Sequence, residues 1–212
     1  MQNTVRLVMI SDTHGLHKSI VVPDGDILVH AGDITMDGRI SDVASFNLWL
    51  GTLPHRYKVV IAGNHDFCFE RNPAQSRACL TNAIYLQDEA AEVAGLNFYG
   101  SPWQPWFFDW AFNLPRGPEL KARWDRIQSG TDVLVTHGPP KDCLDMTVRG
   151  EAVGCDDLMT AVRRIKPRLH VFGHIHEAYG TTSSKGTLFV NACTCNIDYE
   201  PVNRALIHTF DI

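Results

Sequence analysis

Five short apolar runs punctuate the chain, and each ends in a polar cluster. Leu7-Val8-Met9-Ile10 leads into Ser11-Asp12-Thr13-His14-Gly15, and Ile27-Leu28-Val29 into His30-Ala31-Gly32-Asp33. Val59-Val60-Ile61-Ala62 leads into Gly63-Asn64-His65-Asp66, and Val133-Leu134-Val135 into Thr136-His137-Gly138. Leu169-His170-Val171-Phe172 leads into Gly173-His174-Ile175-His176. Runs of three to five aliphatic and β-branched residues, bounded by Gly and Asp, predict buried strands. Five strands would thus deliver polar residues at their C-terminal ends.

Helical spacing lies between them. Residues 41–50 carry Val43, Phe46 and Leu50, with Ser41 placed to cap. Residues 118–128 open on Pro118 and line up Leu120, Trp124 and Ile127. Residues 155–165 carry Leu158, Met159, Val162 and Ile165 and stop before Pro167. Ala94-Gly95 predicts a hairpin turn. The tail, 187–190 and 205–210, predicts further strands without crossover helices. Strand–helix alternation followed by strands alone argues a mixed α/β sandwich.

Composition narrows the classes. The chain has 212 residues, 44% hydrophobic and 20% charged, which excludes a disordered, collagen-like or coiled-coil protein. Its length and the absence of a Pro/Gly/Ser-rich linker predict one domain over 1–212. The net charge is −5, from 19 basic and 24 acidic residues, and no basic stripe points to long nucleic acid. No apolar run reaches the roughly 18 residues of a membrane helix. The first ten residues read as the start of a strand rather than a secretion signal. The six cysteines, scattered and without a C-x-x-C pair, read as free thiols of a cytoplasmic protein.

The chemistry lies in the strand-end residues. Ligands of open α/β sheets sit beyond the carboxyl ends of the strands. There stand Asp12, His14, Asp33, Asn64, His65, His137, His174 and His176, all of them metal-ligand or proton-carrier types. Singly each motif is weak, since Asp-x-His or Gly-Asn-His-Asp is more often a turn. Together at five strand ends they are not a chance set. Asp12/His14 and His174/His176 have period-2 spacing, so in extended chain each pair would point one way. A zinc site uses about four ligands. Seven donors sharing one carboxylate suit two metals about 3.5–4 Å apart, able to clamp an in-line displacement and to generate a bridging hydroxide. Asp12 and Asp33 leave such a filled site net positive and attractive to phosphate.

Other residues carry two readings. Six aromatics crowd residues 103–112, where Trp103, Trp106 and Phe107 are candidates for a stacking wall, against loop core. His30 could support Asp33 or sit in the core. His17 reads as an exposed loop residue, and Arg116, Arg149 and Arg163 as phosphate contacts or solvated charges.

At these motifs the sequence resembles the calcineurin-like metallophosphoesterases, marked by D-x-H, G-D, G-N-H-[DE], a lone H and G-H-x-H in that order. It is closest to the branch of small metallophosphoesterase-domain proteins that includes brain-expressed members. Gly100-Ser101-Pro102-Trp103-Gln104-Pro105-Trp106, Asp109 to Gly117, Thr136 to Pro140, Val171 to Glu177 and Asn191 to Cys195 carry that likeness. The resemblance implies a four-layer αββα fold, a β-sandwich of two mixed sheets flanked by helices. It implies that Asp12, His14 and His176 hold one metal, that Asn64, His137 and His174 hold the other, and that Asp33 bridges. His65 would protonate the leaving oxygen, with Asp66 orienting it. Many relatives carry an Asp three residues after the bridging one, where this chain has Met36. The expectation is a phosphodiesterase of small phosphodiesters such as cyclic nucleotides, using manganese first, or else iron or zinc. The rivals are a phosphomonoesterase or protein phosphatase on the same site, and a binding module without catalysis.

Overall fold

A computed structural model describes residues 4–212. Strand β1 (Thr4–Ile10) opens the chain, followed by β2 (Ile27–His30), helix α1 (Ile40–Thr52), β3 (Tyr57–Val60), α2 (Phe67–Arg71), α3 (Pro73–Cys79) and β4 (Ile84–Tyr85). The hairpin β5 (Glu89–Val93) and β6 (Leu96–Ser101) comes next, then β7 (Gln104–Pro105), β8 (Asn113–Leu114) and α4 (Pro118–Trp124). The chain ends through β9 (Val133–Thr136), α5 (Asp156–Ile165), β10 (Leu169–Phe172), β11 (Gly180–Ser184), β12 (Thr187–Asn191) and β13 (Leu206–Asp211).

Two mixed sheets face each other, in the orders β13-β1-β2-β3-β4 and β11-β12-β10-β9-β6-β5. The central strands are parallel, and β13, β5 and β11 run antiparallel at the edges. Parallel strands are covered on both faces, so they are apolar throughout rather than alternating. Leu7, Met9, Ile27, Val29, Val133, Val135 and Val171 fill the space between the sheets. Val8, Ile10 and Leu28 point the other way, under α1 and α2 with Phe46 and Phe69. Leu134 and Phe172 meet α4 and α5 through Trp124, Leu158 and Val162. The layers are therefore α, β, β, α, as the resemblance implied.

The differences lie at the element ends. Helix α1 begins before Ser41; its cap is Arg39, with no side-chain bond. Helix α5 begins after Cys155, whose Sγ accepts the Leu158 N–H at 3.4 Å. Helix α4 ends at Trp124 rather than 128, because residues 125–127 close as turns while Ile127 stays buried. At five and seven residues, α2 and α3 are too short to show a period. None of the described helices is long and apolar enough to cross a membrane.

Candidate metal centre

The strand ends release the chain into tight loops rather than continuing extended. Asp12, His14, Asp33 and His174 all have positive φ, from 43° to 69°. This corrects the period-2 expectation, since left-handed backbone breaks the alternation of a strand. Such conformations cost roughly 1–3 kcal/mol each and persist where the surroundings hold them. Here two glycines make room. A Cβ on Gly173 would lie 1.9 Å from Asp12 Oδ2, and one on Gly63 2.3 Å from Asp33 Oδ1. The carboxylates thus occupy the volume that a side chain would fill.

The loops bring Asp12, His14, Asp33, Asn64, His137 and His176 within a few ångströms of one another, with the His174 ring beside His137. Asp12 accepts two bonds from the His174 N–H, at 3.0 and 3.1 Å, and its Oδ1 lies 3.2 Å from His176 Nε2. His14 Nε2 stands 3.2 Å from His176 Nε2 and 3.9 Å from both Asp12 Oδ1 and Asp33 Oδ2. On the other side, His137 Nε2 is 3.3 Å from Asp33 Oδ2 and 2.8 Å from Asn64 Oδ1. The His174 ring lies 5.1 Å from that of His137. Three overlapping groups have their donor atoms within 4.8 Å of one another: Asp12/His14/His176, Asp12/Asp33/His137 and His14/Asp33/His65. Buried imidazoles facing each other and carboxylates, with His14 Nδ1 left without a partner, form a donor set that divalent ions fit.

Three backbone carbonyls orient three rings. His137 Nδ1 donates to Ala31 at 3.0 Å, His176 Nδ1 to Asn196 at 2.8 Å, and His65 Nδ1 to Met36 at 2.7 Å. Each bond turns Nε2 toward the site, where it carries the lone pair once the ring is neutral. Asp66 does otherwise than expected. Its carboxylate does not hold the His65 ring; it accepts the N–H groups of Gly63, Ile34 and Thr35 and the Thr35 hydroxyl, at 2.9–3.1 Å. The main chain of Met36 supplies the acceptor for His65 Nδ1 instead.

Electrostatics follow from that packing. Burial opposes charge on Asp12 and Asp33, yet the histidines around them hold both well below the usual carboxylate range. Burial alone would lower His137, but the Asp33 charge and bond raise it to about 9. His176 rises to about 8 against the same penalty, through Asp12. Burial keeps His14 near 4 and His174 near 3. Asp66 is pushed up to about 6, by burial first and the Asp33 charge second.

These shifts predict proton-linked metal uptake. At pH 7 His137 and His176 carry protons in the metal-free protein, and ligation needs the Nε2 lone pairs. Loading at pH 7 should therefore release about two protons, and affinity should rise with pH until about pH 9. The stability these two histidines add to the metal-free fold has the opposite trend, full below about pH 6.5 and lost as pH rises through 8 to 9. Calorimetric titration with manganese in buffers of different ionisation enthalpy measures the release; none at pH 7 would contradict the pairing.

A cleft of about 220 Å³ opens over the cluster. Asp33, Asn64, His65, His174 and His176 form its floor, and Phe107, Trp110, Ile197 and Tyr199 its walls. The Trp110 ring packs 4.2 Å from His65, and Tyr199 lies 4.8 Å from His14. Phe107 is thus at the site. Trp103 is not among the cleft residues: it packs against Phe112, donates to Asp88 and lies under Arg123. Trp106 is exposed and is also not part of the cleft lining. His17 is buried against Phe46 and Trp49, and His30 bonds Thr13 rather than Asp33. Arg116 binds the carbonyls of Val153 and Gly154. Tyr199 and Ile197 were not singled out by sequence; their one signal is nearness to the Asn191–Cys195 stretch.

The likeness to known proteins agrees with this geometry. The pattern of calcineurin-like phosphoesterases matches residues 5–178. Human metallophosphoesterase domain-containing protein 1 is 46% identical over 227 aligned residues, covering 95% of this chain and 70% of its own. A UPF0046 protein of Caenorhabditis elegans is 41% identical over 239, covering 98% and 60%. A Thermus thermophilus protein of solved structure shares the fold at TM-score 0.60 and 13% identity, over 99% of both chains. With ordered motifs, converging donors and matched length all in agreement, the chain belongs to the calcineurin-like phosphoesterase family, metal-dependent hydrolases acting on phosphoester bonds.

Proposed function

We propose that the protein is a phosphodiesterase of small phosphodiesters, cyclic nucleotides among them, working with two divalent transition-metal ions, manganese first. The observation that carries this reading is the convergence of His14 and His137 on the two sides of Asp33, with Asp12 and His176 beside the first and Asn64 and the His174 ring beside the second. Asp12, His14 and His176 would hold one ion, Asn64, His137 and His174 the other, and Asp33 both. Bound there, the ions would neutralise phosphate charge and make water a nucleophile at neutral pH.

The chain's own residues do the rest. His65, its Nδ1–H held by Met36, presents Nε2 to the cleft; protonated, it donates to the departing ester oxygen. Trp110 against its face keeps the ring in that pose. Asp66 acts on the loops, holding residues 34, 35 and 63 so that Asp33 and His65 meet the same substrate. The His65 N–H donates to Asp33 Oδ1 at 2.8 Å, which ties proton donor and bridging carboxylate together. A cytoplasmic location is part of the reading, supported by six cysteines without disulfides.

The test is hydrolysis by chelator-stripped protein with manganese added back, comparing an aryl phosphodiester with the matching monoester. The expected result is metal-dependent turnover with the diester preferred. Monoester preference would assign a phosphatase instead, and two bound metals without turnover of either ester would assign a binding module.

A further inference from the structure

The cleft is polar below and apolar above. Its floor is the donor cluster, yet no Lys or Arg lines it, and the one rim charge is Glu177. A second phosphate or a carboxylate on the substrate would therefore meet no partner there. The apolar residues are concentrated at this mouth. Of twelve large hydrophobic side chains exposed among the described residues, three line it, a fourth packs on one of those, and two more line the neighbouring groove. Phe107, Ile197 and Tyr199 are walls of the cleft. The Phe108 ring packs 4.5 Å from Phe107. Met146 and Val148 line an open groove of about 740 Å³ that shares Glu177 with the cleft. The Val148 N–H donates to Glu177 Oε1 at 2.8 Å, joining groove and cleft at that residue. The charged groups lining the groove are Asp142, Asp145 and Glu177, all acidic.

We infer that the site is built for a phosphodiester with one phosphate and an uncharged hydrocarbon substituent, whose chain leaves the metal floor between Phe107 and Ile197 and runs toward Met146 and Val148. The inference rests on the phosphoesterase reading of the floor but adds what the rim selects. Stacking on Phe107 or Tyr199 alone would suit an aromatic base as well. Ile197, Val148 and Met146 are aliphatic, with no flat face to stack on a base. Exposed apolar side chains grouped around a cleft mark a binding site.

The experiment uses the metal-loaded protein and a homologous series, methyl, butyl and octyl 4-nitrophenyl phosphate. The expected result is kcat/KM rising about twofold per methylene, roughly half the effect of complete burial in a cleft that stays partly wet. An octyl chain ending in carboxylate should lose that gain. Val148→Ser combined with Met146→Ser should lower the octyl-to-methyl ratio at least fivefold, and Ile197→Ser should lower it as well. In parallel, calorimetry with methyl, butyl and octyl phosphonate reads the same dependence without turnover. A flat series with measurable methyl-ester hydrolysis overturns the inference and leaves the phosphodiesterase reading standing. Monoester turnover alone overturns that reading, and the phosphonate titration still decides the rim. Self-association that Phe108→Ser abolishes, together with a flat phosphonate series, would assign the apolar rim to contact between copies of the chain and overturn the inference.

Discussion

Replacing His65 by Ala should lower kcat by about 10²–10⁴ on an alkyl phosphodiester while leaving the metal content unchanged. The His65 backbone N–H, which donates to Asp33, survives the substitution, so the Asp33 carboxylate keeps that bond. What disappears is the ring whose Nδ1 is held by Met36 and whose Nε2 faces the cleft. The loss should depend on the leaving group. An alkoxide needs a proton as it departs, whereas a nitrophenolate is already stable at neutral pH. The deficit should therefore shrink toward none for the 4-nitrophenyl esters. The geometry contains a rival role, because His65 also forms a ligand-like group with His14 and Asp33. Metal analysis of His65→Ala separates the two: an emptied site would make His65 a ligand, and an equal loss for both leaving groups would remove its role as a proton donor.

Asp66→Ala should act mainly on stability. The wild-type carboxylate is fully buried and accepts three backbone N–H groups and one hydroxyl. Unpaired buried donors cost about 1–3 kcal/mol each. Removing Asp66 also relieves its repulsion with Asp33, the second cause of its raised pKa, so the net loss is smaller than the sum. Roughly 3–5 kcal/mol is expected, and with it a Tm lower by about 10 °C for a chain of this size. Activity should fall because the loops carrying Asp33 and His65 loosen. Thermal unfolding followed by rate measurement well below the new Tm tests this. Unchanged Tm with abolished turnover would return Asp66 to a direct role on His65.

Met36 could be read from sequence as a departure from the family pattern; that its main-chain carbonyl would accept from His65 Nδ1, at 2.7 Å, could not, because that depends on how the loop after Asp33 folds over residue 65.

Much of the molecule was legible along the chain. The five apolar runs became β1, β2, β3, β9 and β10, because parallel strands buried on both faces leave an unbroken apolar signature. The donors were legible because each stands where such a run stops, and the ordered motifs identified the family. The hairpin at Ala94-Gly95 was legible because both residues take positive φ, at 52° and 80°. From local pattern and residue type, then, came the mixed α/β sandwich and the candidate donors at the strand ends; the four-layer order and the phosphoester chemistry came from the ordered motifs that the family shares.

Tertiary structure decided the rest. The left-handed turns at Asp12, His14, Asp33 and His174 oppose local preference, and Gly63 and Gly173, at the ends of other strands, leave the space that the Asp33 and Asp12 carboxylates fill. The partner of Asp66, the raised pKa of His137 and the burial of His17 each depend on groups distant in sequence. Within the aromatic stretch 103–112, contacts with Asp88 and Arg123 held Trp103, half-buried, away from the cleft and left Phe107 and Trp110 at it. Tyr199 reached His14 from a loop near the chain's end. Residue type fixes which groups can bind a metal or carry a proton; which of them share one site, and what closes around it, is set by contacts between strands far apart in sequence.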